Sequence, residues 1–157
     1  MRTSIPLALV ALWLAGCGGG GESKPAAAPA PAVVEKPAEE SRRFPMADRV
    51  EARVENDKLL GKAFLPGGNV ASYKKGKQEY QLFLVKAKNT SDPAIWLLDW
   101  KKEMKDAKLV PGFGGYYGDD GGKKVFVFTK NSYLAGVVGL SEKDADAVAR
   151  VLAVRIP

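Results

Sequence analysis

Residues 70–107 read VASYKKGKQEYQLFLVKAKNTSDPAIWLLDWKKEMKDA, and two different periodicities meet there. Val70 to Tyr73 and Gln78 to Ala87 are strand-like runs. Lys74-Lys75-Gly76-Lys77 joins them, and Gly76 can take the positive φ of a tight turn. Gln81-Leu-Phe-Leu-Val85 is apolar enough for a central strand. A helix signal follows. Asp92 stands where an N-cap belongs and Pro93 at the first helical position. Leu97, Trp100, Met104 and Ala107 recur at helical spacing, joined by Ile95 and Leu98. Lys101, Lys102 and Lys105 take the wet side, and Lys105 and Lys108 suit the negative end of the helix dipole. A hairpin and then a helix over about 92–107 is the pattern of a mixed fold.

Upstream, Val50, Ala52 and Val54 alternate with Glu51, Arg53 and Glu55, the period of a strand with one wet face. Asn56-Asp57 marks a turn, and Leu59 to Leu65 reads as a second strand stopped by Pro66-Gly67-Gly68. Downstream, the stretch Gly112-Phe-Gly-Gly-Tyr-Tyr-Gly118 leads to Asp119-Asp-Gly-Gly122. Lys124 to Thr129 and Tyr133 to Leu140 make another hairpin, turning at Lys130-Asn-Ser132. Ser141 caps a last helix over about 142–154, with Asp144 in a place like that of a capping box. Its apolar stripe is Ala145, Val148, Ala149 and Leu152. Strands joined by tight turns predict an antiparallel sheet. The expected class is α+β: roughly five to seven strands, with two amphipathic helices covering one face.

The amino terminus has another character. Met1-Arg2 is followed by an apolar run, Ile5 to Ala15, of about 11 residues, too short for a spanning helix of roughly 20. It has the length of a signal-peptide core. The run ends in Leu14-Ala15-Gly16-Cys17, which resembles the bacterial lipobox. The resemblance implies removal of residues 1–16, diacylglyceryl transfer to the Cys17 thiol and N-acylation of the new terminus. Several acyl chains anchor stably, at about 0.8 kcal/mol per buried CH₂. Residues 17–43 then form the lipidated cysteine and a Gly/Ala/Pro linker, and 44–157 one globular domain. The linker's extended reach is roughly 80 Å. Gly18 follows Cys17, where an Asp commonly signals inner-membrane retention. The implied address is the outer membrane facing the periplasm, or the outer face of the cell membrane in a single-membrane organism.

Composition narrows the chemistry. Cys17 is the only Cys and there is no His. Ser-His-Asp, Cys-His and His-zinc sites are therefore impossible within the chain. No catalytic residue, metal ligand or cofactor is expected. The net charge of +6 comes mostly from Lys. In an exported protein it suits anionic lipid or an anionic envelope polymer, and nucleic acid is not the expected partner.

Five features invite a functional reading. The glycine stretch 112–118 lacks both phosphate-loop patterns, so an irregular strand fits better. Asp119-Asp120 lacks the spaced oxygens of a calcium loop and reads as a turn. Asp99 and Glu103, four apart on the helix, read as surface charge. Trp96 is a near neighbour of Trp100 on the helix and with Tyr116 and Tyr117 would make an aromatic groove; the plainer reading has Trp100 in the core and Trp96 at its edge. Lys74, Lys75 and Lys77 share one hairpin tip and Lys123-Lys124 precede another strand, so they form an anion patch only if the fold brings them together. The expected role is that of a lipid-anchored, non-catalytic binding or accessory module, whose partner is such a polymer or another envelope protein. A carboxylate- or Tyr/Lys-dependent enzyme on cell-wall or lipid substrates is the alternative, as is a tethered inhibitor or chaperone.

Overall fold

The computed structural model of the chain describes residues 36–157. Residues 1–35, with the expected signal peptide, Cys17 and the upstream part of the expected linker, lie outside the described residues. Seven strands are present among those residues: β1 (Arg49–Asp57), β2 (Pro66–Lys75), β3 (Gln78–Lys86), β4 (Lys105–Val110), β5 (Gly115–Asp120), β6 (Lys123–Lys130) and β7 (Tyr133–Val138). Helix α1 (Asp92–Glu103) joins β3 to β4, and α2 (Glu142–Arg155) follows β7. All neighbours pair antiparallel in one sheet of order β1-β2-β3-β7-β6-β5-β4. The fold is α+β.

The two helices lie on opposite faces, not on one as the patterning suggested. Ala145, Ala149 and Leu152 of α2 pack with Leu82, Leu84, Phe126, Phe128, Ala135 and Val137. Leu97 and Trp100 of α1 pack with Val70, Phe83, Val85, Val127 and Leu134. The cause is visible in β3: Leu82, Phe83, Leu84 and Val85 are all fully buried, so side chains on both faces need a cover.

Several local expectations change. Helix α1 stops at Glu103, because Met104 is already extended and Lys105 pairs with Asp119. Ala107 and Lys108 therefore belong to β4, where pairing with β5 wins over helical spacing. Ile95 and Leu98 are half exposed on α1 instead of joining its buried stripe. Leu59–Leu65 is not a strand. It holds one 3₁₀ turn, Leu59–Gly61, with Lys58 and Leu60 at positive φ, and buries Leu59 and Leu65 beneath the α1 face. Pro66-Gly67-Gly68 opens β2 instead of ending a strand. The N-cap of α1 is Ser91, one residue before Asp92, while Asn89 Oδ1 accepts from both their amides at 2.9 Å. Ser141 does cap α2, accepting from the Asp144 amide at 3.3 Å.

Contacts to the sheet begin upstream of residue 44. Residues 38–45 run along β2 on the α2 face. The Ala38 carbonyl accepts from Asn69 Nδ2 at 2.9 Å, the Glu40 amide donates to Asn69 Oδ1 at 3.0 Å, and the Pro45 carbonyl accepts from the Tyr73 hydroxyl at 2.7 Å. Phe44 is fully buried in the α2-side core. Glu40 is the clasp of this strap. Its buried carboxylate accepts from Arg43 Nε at 2.5 Å, Lys86 Nζ at 3.1 Å and the Tyr133 hydroxyl at 3.2 Å. Burial pushes this carboxyl up, but the hydrogen bonds from Lys86 and Arg43 outweigh it and hold it below the ordinary value of 4.5. A carboxylate with a depressed folded pKa stabilises above its unfolded value, and that stability is lost as pH falls through the folded value. Glu40→Gln should cost about 1.5–3 kcal/mol at neutral pH. The gap to wild type should close below the ordinary carboxylate range. Urea midpoints of both proteins across that range check the sign.

Candidate functional site

A groove of about 560 Å³ opens at the end of the sheet where the β2–β3 hairpin tip meets the start of β6. Strand register builds its floor. Glu51 pairs with Ser72, Ser72 with Gln81, Gln81 with Val138 and Val138 with Val125, one row across β1, β2, β3, β7 and β6. This row lies on the α1 face, yet no residue of α1 or of the 59–65 loop lines the groove. Val50, at the bulge between Arg49 and Glu51, closes one side; Gly139 and Lys123 close the other. Gly139 has φ +98°, and a Cβ there would sit 3.2 Å from the Glu79 carbonyl. Glycine thus permits both the turn out of β7 and the close approach of β3.

The polar groups are mostly held in pairs. Lys74 Nζ lies 2.8 Å from Glu79 Oε1, and Glu51 lies 3.1 Å from Arg53 Nη1. Gln81 Nε2 donates to Ser72 Oγ at 3.4 Å. Hydrogen bonding to each other raises the Lys74 ammonium and lowers the Glu79 carboxyl. Tyr80 stacks on Tyr73, with centroids 4.9 Å apart and planes 9° from parallel. Burial pushes Tyr73 up to about 12 and Tyr80 upward too. The groove therefore offers ammonium, amide and hydroxyl donors beside carboxylate acceptors. A Lys or Tyr general base needs its pKa drawn down toward neutrality, and Lys74, Tyr73 and Tyr80 have all moved the other way.

The lysine clusters converge in part. Lys74 and Lys123 line the same groove, while Lys75 and Lys77 stay exposed at the hairpin tip outside it. The aromatic groove does not form as a trio. Tyr116 and Tyr117 are consecutive in β5, so they point to opposite faces. Tyr117 is buried on the α2 side and its hydroxyl donates to the Leu140 carbonyl at 3.0 Å. Tyr116 and Trp96 are half-buried and both pack against the α1-side core, with Lys101 Nζ 4.8 Å from the Tyr116 centroid.

Of the acidic pairs, Asp99 holds Lys102 at 2.7 Å on the helix surface. Glu103 has a partner far away in sequence, Lys62, at 2.6 Å. Asp119 and Asp120 end β5 at a tight turn in which Gly121 and Gly122 take positive φ. Asp120 also ties the molecule together, accepting from Trp100 Nε1 at 2.7 Å and from Lys62 Nζ at 2.8 Å. Glu51, Ser72, Gln81 and Val138 escaped the sequence reading as groove residues, because only register brings four separate strands to one row.

Comparison of the chain with protein-family models, curated proteins and solved structures finds no match. Among the described residues, no helix is long and apolar enough to cross a membrane.

Proposed function

We propose that the chain is a lipid-anchored envelope protein whose folded domain is a non-catalytic binding module. The observation that carries the binding half is the groove's electrostatics. Glu79 is held low, Lys74 high and Tyr73 up at about 12, so these three keep their charge states across neutral pH. Such groups suit steady charge and hydrogen-bond complementarity better than proton transfer. The anchoring half rests on Leu14-Ala15-Gly16-Cys17. Docking of the strap leaves residues 18–35 as the tether. Its fully extended limit is on the order of 60 Å. The partner class that fits Lys74 and Lys123 is an anionic envelope polymer.

The test uses the full chain and purified cell-wall sacculi that retain their anionic polymers. Wild type should co-sediment, less so as salt rises. Lys74→Glu combined with Lys123→Glu should reduce binding about fivefold or more. Both side chains are exposed, so the fold should survive the change although Lys74→Glu faces Glu79 across the ladder, and a melting temperature near that of wild type checks this. Undiminished binding would remove the groove from the function. In the same cells, Cys17→Ala should release the protein from the membrane fraction once any retained signal is accounted for. Wild-type retention would remove the anchor.

A further inference from the structure

Strand β1 ends the sheet. Among the described residues it pairs with β2 alone, and Val50 to Arg53 are exposed. Such an edge carries unpaired amide and carbonyl groups able to accept another strand. The opposite edge, β4, is short, shifts register between Lys105 and Lys108, and carries Asp106 at positive φ. Irregularity of that kind blocks pairing. β1 differs: its register with β2 is continuous from Glu51 to Glu55.

The sequence of this edge is its own complement. Glu51-Ala-Arg53, laid antiparallel on itself about Ala52, sets Glu51 against Arg53 twice. The bulge at Val50 turns Arg49 to the other face, in register with Tyr73 and donating to the Ser41 carbonyl, so Arg49 takes no part. We propose that the partner of β1 is a second copy of this chain, joined through antiparallel β1–β1 pairing centred on Ala52.

Symmetry makes the register specific. A two-fold axis normal to the sheet keeps the faces of both copies aligned, so only residues of one face can stand opposite each other. Centring on Arg53 would oppose Arg53 to its own copy and Glu51 to Glu55. Centring on Glu51 would oppose Glu51 to its own copy. Centring on Val54 keeps Arg53 against Glu55 but sets Glu51 against Asp57. Of these registers only the one centred on Ala52 gives both Glu51 and Arg53 an opposite charge and sets no like charges face to face, and like charges directly across a ladder destabilise it. The pairs are available. Arg53 already draws Glu51 and Glu55 together on the α1 face, at 3.1 and 2.8 Å, and the side chains of Glu51 and Arg53 remain 58% and 41% exposed. Ala52 lies on the other face, in register with Ala71, and has no bulk to obstruct its copy. The bulge before Glu51 limits the regular ladder to the strand's middle, so the interface is small and the association weak.

Cysteine cross-linking of the full-length protein reads a weak symmetric contact. Cys17 is lipidated in this reading, or is replaced by Ala in a parallel sample. Ala52→Cys places two thiols directly across the axis, at the upper edge of the Cβ separation a disulfide needs. Under mild oxidation it should form a disulfide dimer at least about tenfold faster than Lys77→Cys at the far hairpin tip. Adding Arg53→Glu to Ala52→Cys should slow the dimer by about tenfold, because it sets acid against acid at both pairs. Adding Glu51→Arg as well should restore the rate. Equal rates at positions 52 and 77, or a rate insensitive to Arg53→Glu, would overturn the dimer. A double reversal that stays slow while its melting temperature matches wild type would overturn the register.

Discussion

Trp100→Ala should lower the unfolding free energy by about 3–5 kcal/mol, the usual cost of removing a large buried aromatic. Trp100 is 1% exposed and stands between the helix and the sheet. Its ring stacks on Phe83 with centroids 4.8 Å apart and meets Phe64 edge-on at 6.2 Å. Its indole N–H donates to Asp120, which also holds Lys62, and Lys62 Nζ lies 5.7 Å from the Trp100 centroid. One side chain therefore ties α1, β3, the 59–65 loop and the end of β5 together. Alanine would leave a cavity against Phe83 and take one donor from a carboxylate that is only 15% exposed. Trp100→Phe separates the two effects: it keeps much of the stack, loses the hydrogen bond, and should cost less than half as much. Trp96→Ala should cost less than Trp100→Ala, because Trp96 is only half-buried at the edge of the same cluster. Urea midpoints give the ranking. Equal losses at both positions would mean that the two rings carry the same core.

Gly136→Ala should be the most damaging single methyl group, at about 1–3 kcal/mol or more. Gly136 lies in the middle of β7, a central strand, where glycine costs entropy and packs nothing. The reason for it is Phe83. Gly136 pairs with Phe83 in β3, and a Cβ would come 2.5 Å from the ring and 2.2 Å from the Phe126 carbonyl. The phenyl ring lies across the space a side chain would fill, and Trp100 lies on the ring in turn. Alanine must push the ring, and through it the helix. Combining Gly136→Ala with Phe83→Leu should cost less than the sum of the two, since the ring part of the clash is gone. Strict additivity would place the whole cost in the backbone contact with Phe126.

Much of this molecule was legible in its residues. Hairpins about Gly76 and Asn131, Ser141 as a cap and Trp100 as a core residue are local facts, each set by turn geometry, capping chemistry or periodicity within about ten residues. Tertiary structure decided the rest. The unbroken apolar run Leu82-Phe-Leu-Val85 says that a strand is buried on both sides, but which helix covers which face depends on the path of the chain between them. The end of α1 depended on β5, which recruits Lys105–Val110 as its partner against a helical pattern that ran on to Ala107. Glu40 looked like one more linker charge until Arg43, Lys86 and Tyr133 were gathered around it. The groove needed the register of five strands. The physical reason is common to all four: spacing along a chain encodes which face a side chain takes, whereas what meets that face is set by contacts between residues far apart in sequence.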